Sequence, residues 1–221
     1  KKLIFAKDDY SSWRKGLFGE ILYKGKRNKD YKFSIDNFNK WYDEIMILLK
    51  SFGYHTIQAS GLEGDDIIMI LSEIFYQSGI SSVIVSGDSD LPQLIRNNNK
   101  NFVACYNPDP GKKKFIIKSF LEEQADDTFA FESVENGINQ NSEVKDPKIL
   151  LLGKVLYGDS GDNIPSCFYY SVNGKVVSFT DTRYDQMVAI HGEELSKLDI
   201  SDYEELYKII FGFLQSTIKK F

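Results

Sequence analysis

The chain has 221 residues, 42% hydrophobic and 27% charged, with a formal net charge of −5 at pH 7. That composition suits a globular protein with one sizeable core, and it excludes collagen-like, low-complexity and disulfide-scaffold chains. Two histidines and two widely spaced cysteines exclude a His- or Cys-built zinc site, and no apolar run approaches the roughly 20 residues of a membrane span.

In chain order, KLIFA (2–6) predicts a short buried strand. The opening KKLIFAKDDY lacks the apolar core of a signal peptide, so a cytoplasmic chain with Cys105 and Cys167 reduced is expected. Residues 24–37 are rich in Lys, Asn and Asp and predict a basic connector. SIDNFNKWYDEIMILLKSFG (34–53) sets Phe38, Trp41, Ile45, Leu48 and Leu49 at helical spacing, with Gly53 as the stop. YHTIQA (54–59) alternates like a strand in which His55 is expected to pack. Ile67, Ile70, Leu71 and Ile74 predict one face of a helix ending near Gly79. SSVIVS (81–86) and NFVACY (101–106) predict strands, and Pro92 suits the first turn of a helix between them.

This alternation predicts an α/β fold over residues 1–120: a mostly parallel twisted sheet with helices on both faces. After residue 118 the character changes. Residues 122–148 are acidic and Asn-rich, KILLLGKVLYG (148–158) is helical, and 202–221 is amphipathic through Leu206, Ile209, Ile210, Phe213 and Leu214. A helical C-terminal subdomain over 121–221 follows.

Charge is distributed unevenly. Residues 1–32 carry ten Lys/Arg against four Asp/Glu, and the remainder 17 against 28. The amino-terminal piece suits a polyanion and the rest suits cations. The acids also fall in a pattern. LIFAKDD delivers Asp8, TIQASGLEGDD delivers Glu63, Asp65 and Asp66, VIVSGDSD delivers Asp88 and Asp90, and YGDSGDNIP delivers Asp159 and Asp162. Each cluster alone has a plain explanation as helix-dipole partner, cap or turn. Three of the four follow predicted strands, where ligands of an open parallel sheet bind. Crowded carboxylates stay ionised together only beside cations, and oxygen ligands without His or Cys select Mg²⁺ or Mn²⁺. Glu63 and Asp66 share a helix face, while Asp65 lies about 100° away. Two such ions suit phosphodiester hydrolysis, and Lys24 and Arg27 of the basic connector are the candidates for holding the scissile phosphate.

LEGDDII, VSGDSDLPQL and YGDSGDNIP resemble, in order and spacing, the acidic motifs of the 5′-nuclease superfamily. That superfamily comprises phage ribonuclease H, flap endonucleases and the 5′-nuclease domain of DNA polymerase I. SWRK brings the chain nearest the phage ribonuclease H branch. The resemblance implies that Asp8, Glu63, Asp65, Asp66, Asp88, Asp90, Asp159 and Asp162 are ligands of two Mg²⁺ ions, with Mn²⁺ as substitute. It implies catalytic Lys24 and Arg27, with Arg14, Lys15, Tyr23 and Lys26 of the amino-terminal region also on nucleic acid, and Trp13, Phe18 and Tyr23 stacking on bases. The substrate would be DNA with a 5′ flap or nick, or an RNA–DNA hybrid. The work would be removal of RNA primers or flaps in replication, phage-encoded, beside a single-strand-binding protein or sliding clamp. Two departures stand out. The family's Asp-bearing strand ahead of Asp8 is not among these residues, and the region after Pro165 has no Gly-x-Gly turn, which leaves Lys175 and Arg183 to contact duplex. Three alternatives are a PIN-type ribonuclease, a haloacid-dehalogenase-like phosphohydrolase, and a non-catalytic nucleic-acid-binding relative.

Overall fold

The structure is a computed structural model that describes residues 2–18, 23–24, 34–98, 100–108, 146–199 and 201–218. Lys26, Arg27 and the acidic stretch 122–145 lie outside the described residues, as do most of the connector and the Phe18 side chain. The chain divides into two compact units, Lys1–Ser78 with Gly161–Asn163, and Gly79–Ser160 with Ile164–Phe221.

In the first unit, strand β1 (Ile4–Ala6) lies parallel to β2 (His55–Ile57), with Ile4 opposite His55 and Ala6 opposite Ile57. A short helix, α1 (Trp13–Phe18), follows β1, and the crossover to β2 is helix α2 (Ile35–Ser51). The Ser34 hydroxyl accepts from the Asn37 backbone to start α2. Gly53, at φ +84°, ends it in the left-handed region, as predicted. Lys7 at the end of β1 pairs with Asp43 of α2 and lies 5.5 and 5.8 Å from the Tyr10 and Tyr42 ring centroids. Helix α3 (Gly64–Gln77) follows β2.

The predicted elements form, but their apolar faces are less covered than their periodicity implied. Phe38, Trp41, Ile45, Leu48, Ile70 and Ile74 are exposed, while Met46 and Ile67 are buried. A parallel sheet of two three-residue strands is too narrow a platform for helices of 17 and 14 residues. His55 is exposed as well, rather than packed.

In the second unit the strand order is β3-β5-β4. Strand β3 (Ser82–Val85) runs parallel to β5 (Phe102–Tyr106), and β4 (Arg96–Asn97) pairs antiparallel on its other side. Because β5 is flanked on both edges, Val103, Ala104 and Cys105 are all buried. Leu91–Leu94 is a 3₁₀ turn with Pro92 in its first positions. Helix α4 (Pro147–Tyr157) then packs with α5 (Asp181–Lys197) and α6 (Tyr203–Thr217) around Leu152, Phe179, Met187, Ile210 and Phe213. The five apolar α6 positions read from the sequence are all in that core.

The region 121–221 is not wholly helical. Strands β6 (Tyr169–Val172) and β7 (Lys175–Ser178) form an antiparallel hairpin. Asn173 at φ +52° and Gly174 at φ +75° supply the two left-handed residues of its turn. The alternation over 168–179 around Asn-Gly is the local signal of this hairpin, a departure from the helical subdomain expected there. Lys175 stands exposed beside the tip of this hairpin, and Arg183 is half-buried in the first turns of α5.

Candidate active site

Sequence forces an acidic start on α3. Glu63 occupies the N-cap in extended conformation and Asp66 the third helical position, where its Oδ2 accepts from the Glu63 backbone N–H at 2.9 Å. Both are buried, at 7% and 6% exposure, and a buried carboxylate demands a partner. Arg14 supplies one, donating to Asp66 through both terminal nitrogens at 2.9 and 2.6 Å and lying 3.4 Å from Glu63. The Trp13 indole N–H adds a third donor to Asp66 at 3.2 Å. Asp65 faces away and is exposed, as helical geometry requires.

Lys24 and Tyr23 converge on the other carboxylate. The Lys24 ammonium is 2.8 Å and the Tyr23 hydroxyl 2.9 Å from Glu63 Oε2. The same hydroxyl lies 3.4 Å from Asp162, and the Lys24 backbone N–H donates to the Asp162 carbonyl at 3.0 Å. Burial pushes the Glu63 carboxyl up, but the hydrogen bonds from Lys24, Ser12 and Tyr23 together outweigh it and hold the acid below its usual range. Burial likewise pushes Asp66 up, but Arg14, the Glu63 backbone N–H and the Trp13 indole together lower it. Burial raises the Tyr23 hydroxyl to about 12, so it stays a donor. At 4% exposure Tyr23 presents no ring to a base. Its observed part is to orient Glu63, a correction to the stacking expected of it. Arg14 is likewise turned onto the acids, while Trp13 at 46% exposure keeps an open face. Lys15 is half-buried on α1.

Asp8 lies two residues beyond the end of β1. Its Oδ1 accepts from the Gly64 N–H at 2.5 Å, and a side chain at Gly64 would place Cβ 2.8 Å from that oxygen. The neighbouring Asp9, absent from the sequence-derived site, clamps this approach. It accepts from the Gly61 N–H at 2.7 Å and the Ser11 hydroxyl at 2.6 Å, and the Gly61 bond first among these holds it down at about 2.

The second unit holds the remaining acids. Asp88 Oδ1 accepts from the Asp90 N–H at 2.8 Å, which turns the loop after β3. Asp159 is held by paired backbone bonds with Ile164 of 2.9 and 2.7 Å. Gly158, at φ +80°, makes that turn, and a Cβ there would collide with the Ile164–Pro165 backbone. Lys154, in the last turn of α4, lies 2.9 Å from Asp90 and 2.5 Å from Asp159. Burial pulls its ammonium down, but the two neighbouring carboxylates leave it raised. Sequence reasoning missed Lys154. The available signal was a lysine one helical turn ahead of an acidic turn.

Among the described residues no three carboxylate, imidazole or thiolate side chains converge to enclose a metal ion. Glu63 and Asp66 are instead paired with the internal cations Arg14 and Lys24 in one unit, and Asp90 and Asp159 with Lys154 in the other. The donor chemistry, two carboxylate oxygens facing one cation with no His or Cys, fits a hard divalent ion.

The described fold is similar to solved 5′-nucleases. A bacteriophage T5 5′-exonuclease bound to divalent zinc matches with a TM-score of 0.53 at 18% identity, covering 97% of this chain and 73% of that one. A bacteriophage T5 flap endonuclease complexed with DNA and metal ions matches with a TM-score of 0.56 at 17% identity, covering 97% and 72%. These likenesses establish the fold, an α/β fold of the kind those structures have. Residues 1–128 match the family described as 5′-3′ exonuclease, N-terminal resolvase-like domain, and the chain belongs to that family and so to the 5′-nuclease superfamily. Among relatives, DNA polymerase I of Caldicellulosiruptor bescii is 30% identical over 132 residues, 59% of this chain and 13% of the polymerase. That of Chloroflexus aurantiacus is 27% identical over 130 residues, 59% and 12%. The chain thus spans only a small fraction of the length of these polymerases.

Proposed function

We propose that this chain is a divalent-metal-dependent 5′-nuclease that hydrolyses phosphodiesters at a 5′ flap or nick in DNA, or in the RNA of an RNA–DNA hybrid. The observation that carries the reading is the Lys24 ammonium 2.8 Å from Glu63. A cation suited to a phosphate sits beside a carboxylate suited to a metal, on the residues that match the family's motifs.

In this reading Asp8, Glu63, Asp65, Asp66, Asp88, Asp90, Asp159 and Asp162 hold two Mg²⁺ ions, with Mn²⁺ as substitute. Such ions supply an activated water and charge stabilisation at the leaving oxygen. Lys24, with Arg27, holds the scissile phosphate. Tyr23 keeps Glu63 oriented, and Arg14 holds the α3 acids together. Lys15 and Lys26 add to the positive field along the amino-terminal region, and Lys175 and Arg183 are the duplex contacts of the second half. Residues 1–120 form the nuclease core with its connector at 24–37, and 121–221 form a mainly helical region that carries Asp159 and Asp162. The setting is the cytoplasm of a bacterial host, the gene phage-borne, and a sliding clamp or single-strand-binding protein the recruiter.

The test uses this chain with 5′-labelled flap DNA and a matched RNA–DNA hybrid in Mg²⁺, Mn²⁺ and EDTA, with Asp88→Asn as control. Metal-dependent cutting near the junction, lost in Asp88→Asn, supports the proposal. Binding without cutting under any metal would favour the non-catalytic relative. Neither binding nor cutting would overturn both.

A further inference from the structure

The second unit contains an ion pair that the proposed chemistry does not need in this form. Lys154 leaves the last turn of α4 and places its ammonium between acids from two separate segments, Asp90 after β3 and Asp159 in the turn after α4. The site is partly enclosed: the side chains are 27%, 38% and 19% exposed for Lys154, Asp90 and Asp159. The contact to Asp159 is a good hydrogen bond at 2.5 Å. The contact to Asp90 differs, because Oδ1 is buried and lacks a hydrogen bond of acceptable geometry although the ammonium is 2.9 Å away. That oxygen feels a nearby positive charge without a directed donor, the environment a spherical ion would satisfy better than a tetrahedral ammonium.

We propose that Lys154 is an internal counter-cation occupying the cation position between Asp90 and Asp159, and that a divalent ion binds these two acids only by displacing it. The physical reason is exclusion. Two carboxylates facing each other without a cation repel in a partly desolvated site, so the metal-free chain needs Lys154 there. A dication bound to the same oxygens would stand within a few Å of the ammonium, where like charges at low effective dielectric repel strongly. The two cations are therefore alternatives, and the observed metal affinity is the intrinsic affinity reduced by the stability of the lysine bridge. Lys154 thereby sets the metal concentration at which this half of the site fills.

This inference rests on the reading of Asp90 and Asp159 as metal ligands, and the experiment separates the two. Mn²⁺ binding to the full chain without nucleic acid is measured by electron paramagnetic resonance of the free ion, with folding checked by circular dichroism. The variants are Lys154→Met, Lys154→Gln, Lys154→Arg, Asp159→Asn and, as a charge control elsewhere on α4, Lys148→Met. The expected result is that Asp159→Asn weakens Mn²⁺ binding and that Lys154→Met and Lys154→Gln tighten it by about tenfold. Lys154→Arg and Lys148→Met should stay near the parent. If Asp159→Asn weakens binding while neither neutral Lys154 variant tightens it, the counter-cation inference is overturned and the metal reading stands. If Asp159→Asn leaves Mn²⁺ binding unchanged, both are overturned. Equal tightening by Lys148→Met would reduce the effect to net charge and overturn the displacement. Should Lys154→Met fail to fold, Lys154→Gln, which retains a donor for Asp159, carries the same comparison.

Discussion

Lys24 and Glu63 are the residues on which the proposed chemistry turns. Lys24 adopts a left-handed backbone at φ +56°, uncommon for a residue with a side chain, and its ammonium ends on Glu63. On the proposed role, Lys24→Ala lowers the single-turnover cleavage rate by about 10²- to 10³-fold while flap-DNA affinity changes far less. Rapid-quench kinetics beside a binding titration checks the split, and equal losses in both would reassign Lys24 to binding alone. Glu63 and Asp66 also link stability to pH. Both are held below their ordinary 4.5 and 3.8 by their cationic partners. A carboxyl depressed on folding contributes stability that is full above its unfolded value and is lost as pH falls through the folded one. The melting temperature in EDTA should therefore decline as pH drops below about 4.5. Glu63→Gln should flatten that decline and lower the plateau, read from a series of thermal melts.

At the scale of elements, two tight turns aim the acids. Gly64 lets the α3 N-terminus approach Asp8, and Gly158 reverses the chain so that Asp159 meets Lys154. Gly158→Ala meets both a left-handed φ and a backbone collision. It should cost roughly 2 kcal/mol or more of stability, seen as a fall in denaturant midpoint at unchanged slope. A loss below about 0.5 kcal/mol would mean the 158–164 turn relaxes freely. The hairpin β6–β7 carries a period of two in FYYSVNGKVVSF with Asn-Gly at its centre, inside a region expected to be helical.

For the whole molecule, charge asymmetry governs association. Ten Lys/Arg in residues 1–32 stand against a net −5 overall, so nucleic-acid affinity should be strongest along that segment, with Lys175 and Arg183 adding to it, and fall steeply with salt. Binding of flap DNA, measured from about 50 to 200 mM salt, should weaken by one to several orders of magnitude. EDTA should abolish cutting while leaving part of the binding intact. Affinity that does not depend on salt would contradict an electrostatic interface. Among the described residues no helix is long and apolar enough to cross a membrane.

Elements α2, β2, α3, β3, β5 and α6 were legible in the residues alone, because helical and strand periodicities and the Gly stops at 53 and 79 are local signals. The acidic motifs were legible for the same reason, and they carried the family. Burial was not legible. Ile70, Ile74 and the α2 stripe read as core faces, yet whether a face is covered depends on what packs there, and a two-stranded sheet covers little. The partners of the acids were equally hidden. Arg14 reaches Asp66 across 52 positions and Lys154 reaches Asp90 across 64. Such pairings are set by three-dimensional proximity, which no local pattern of charge encodes.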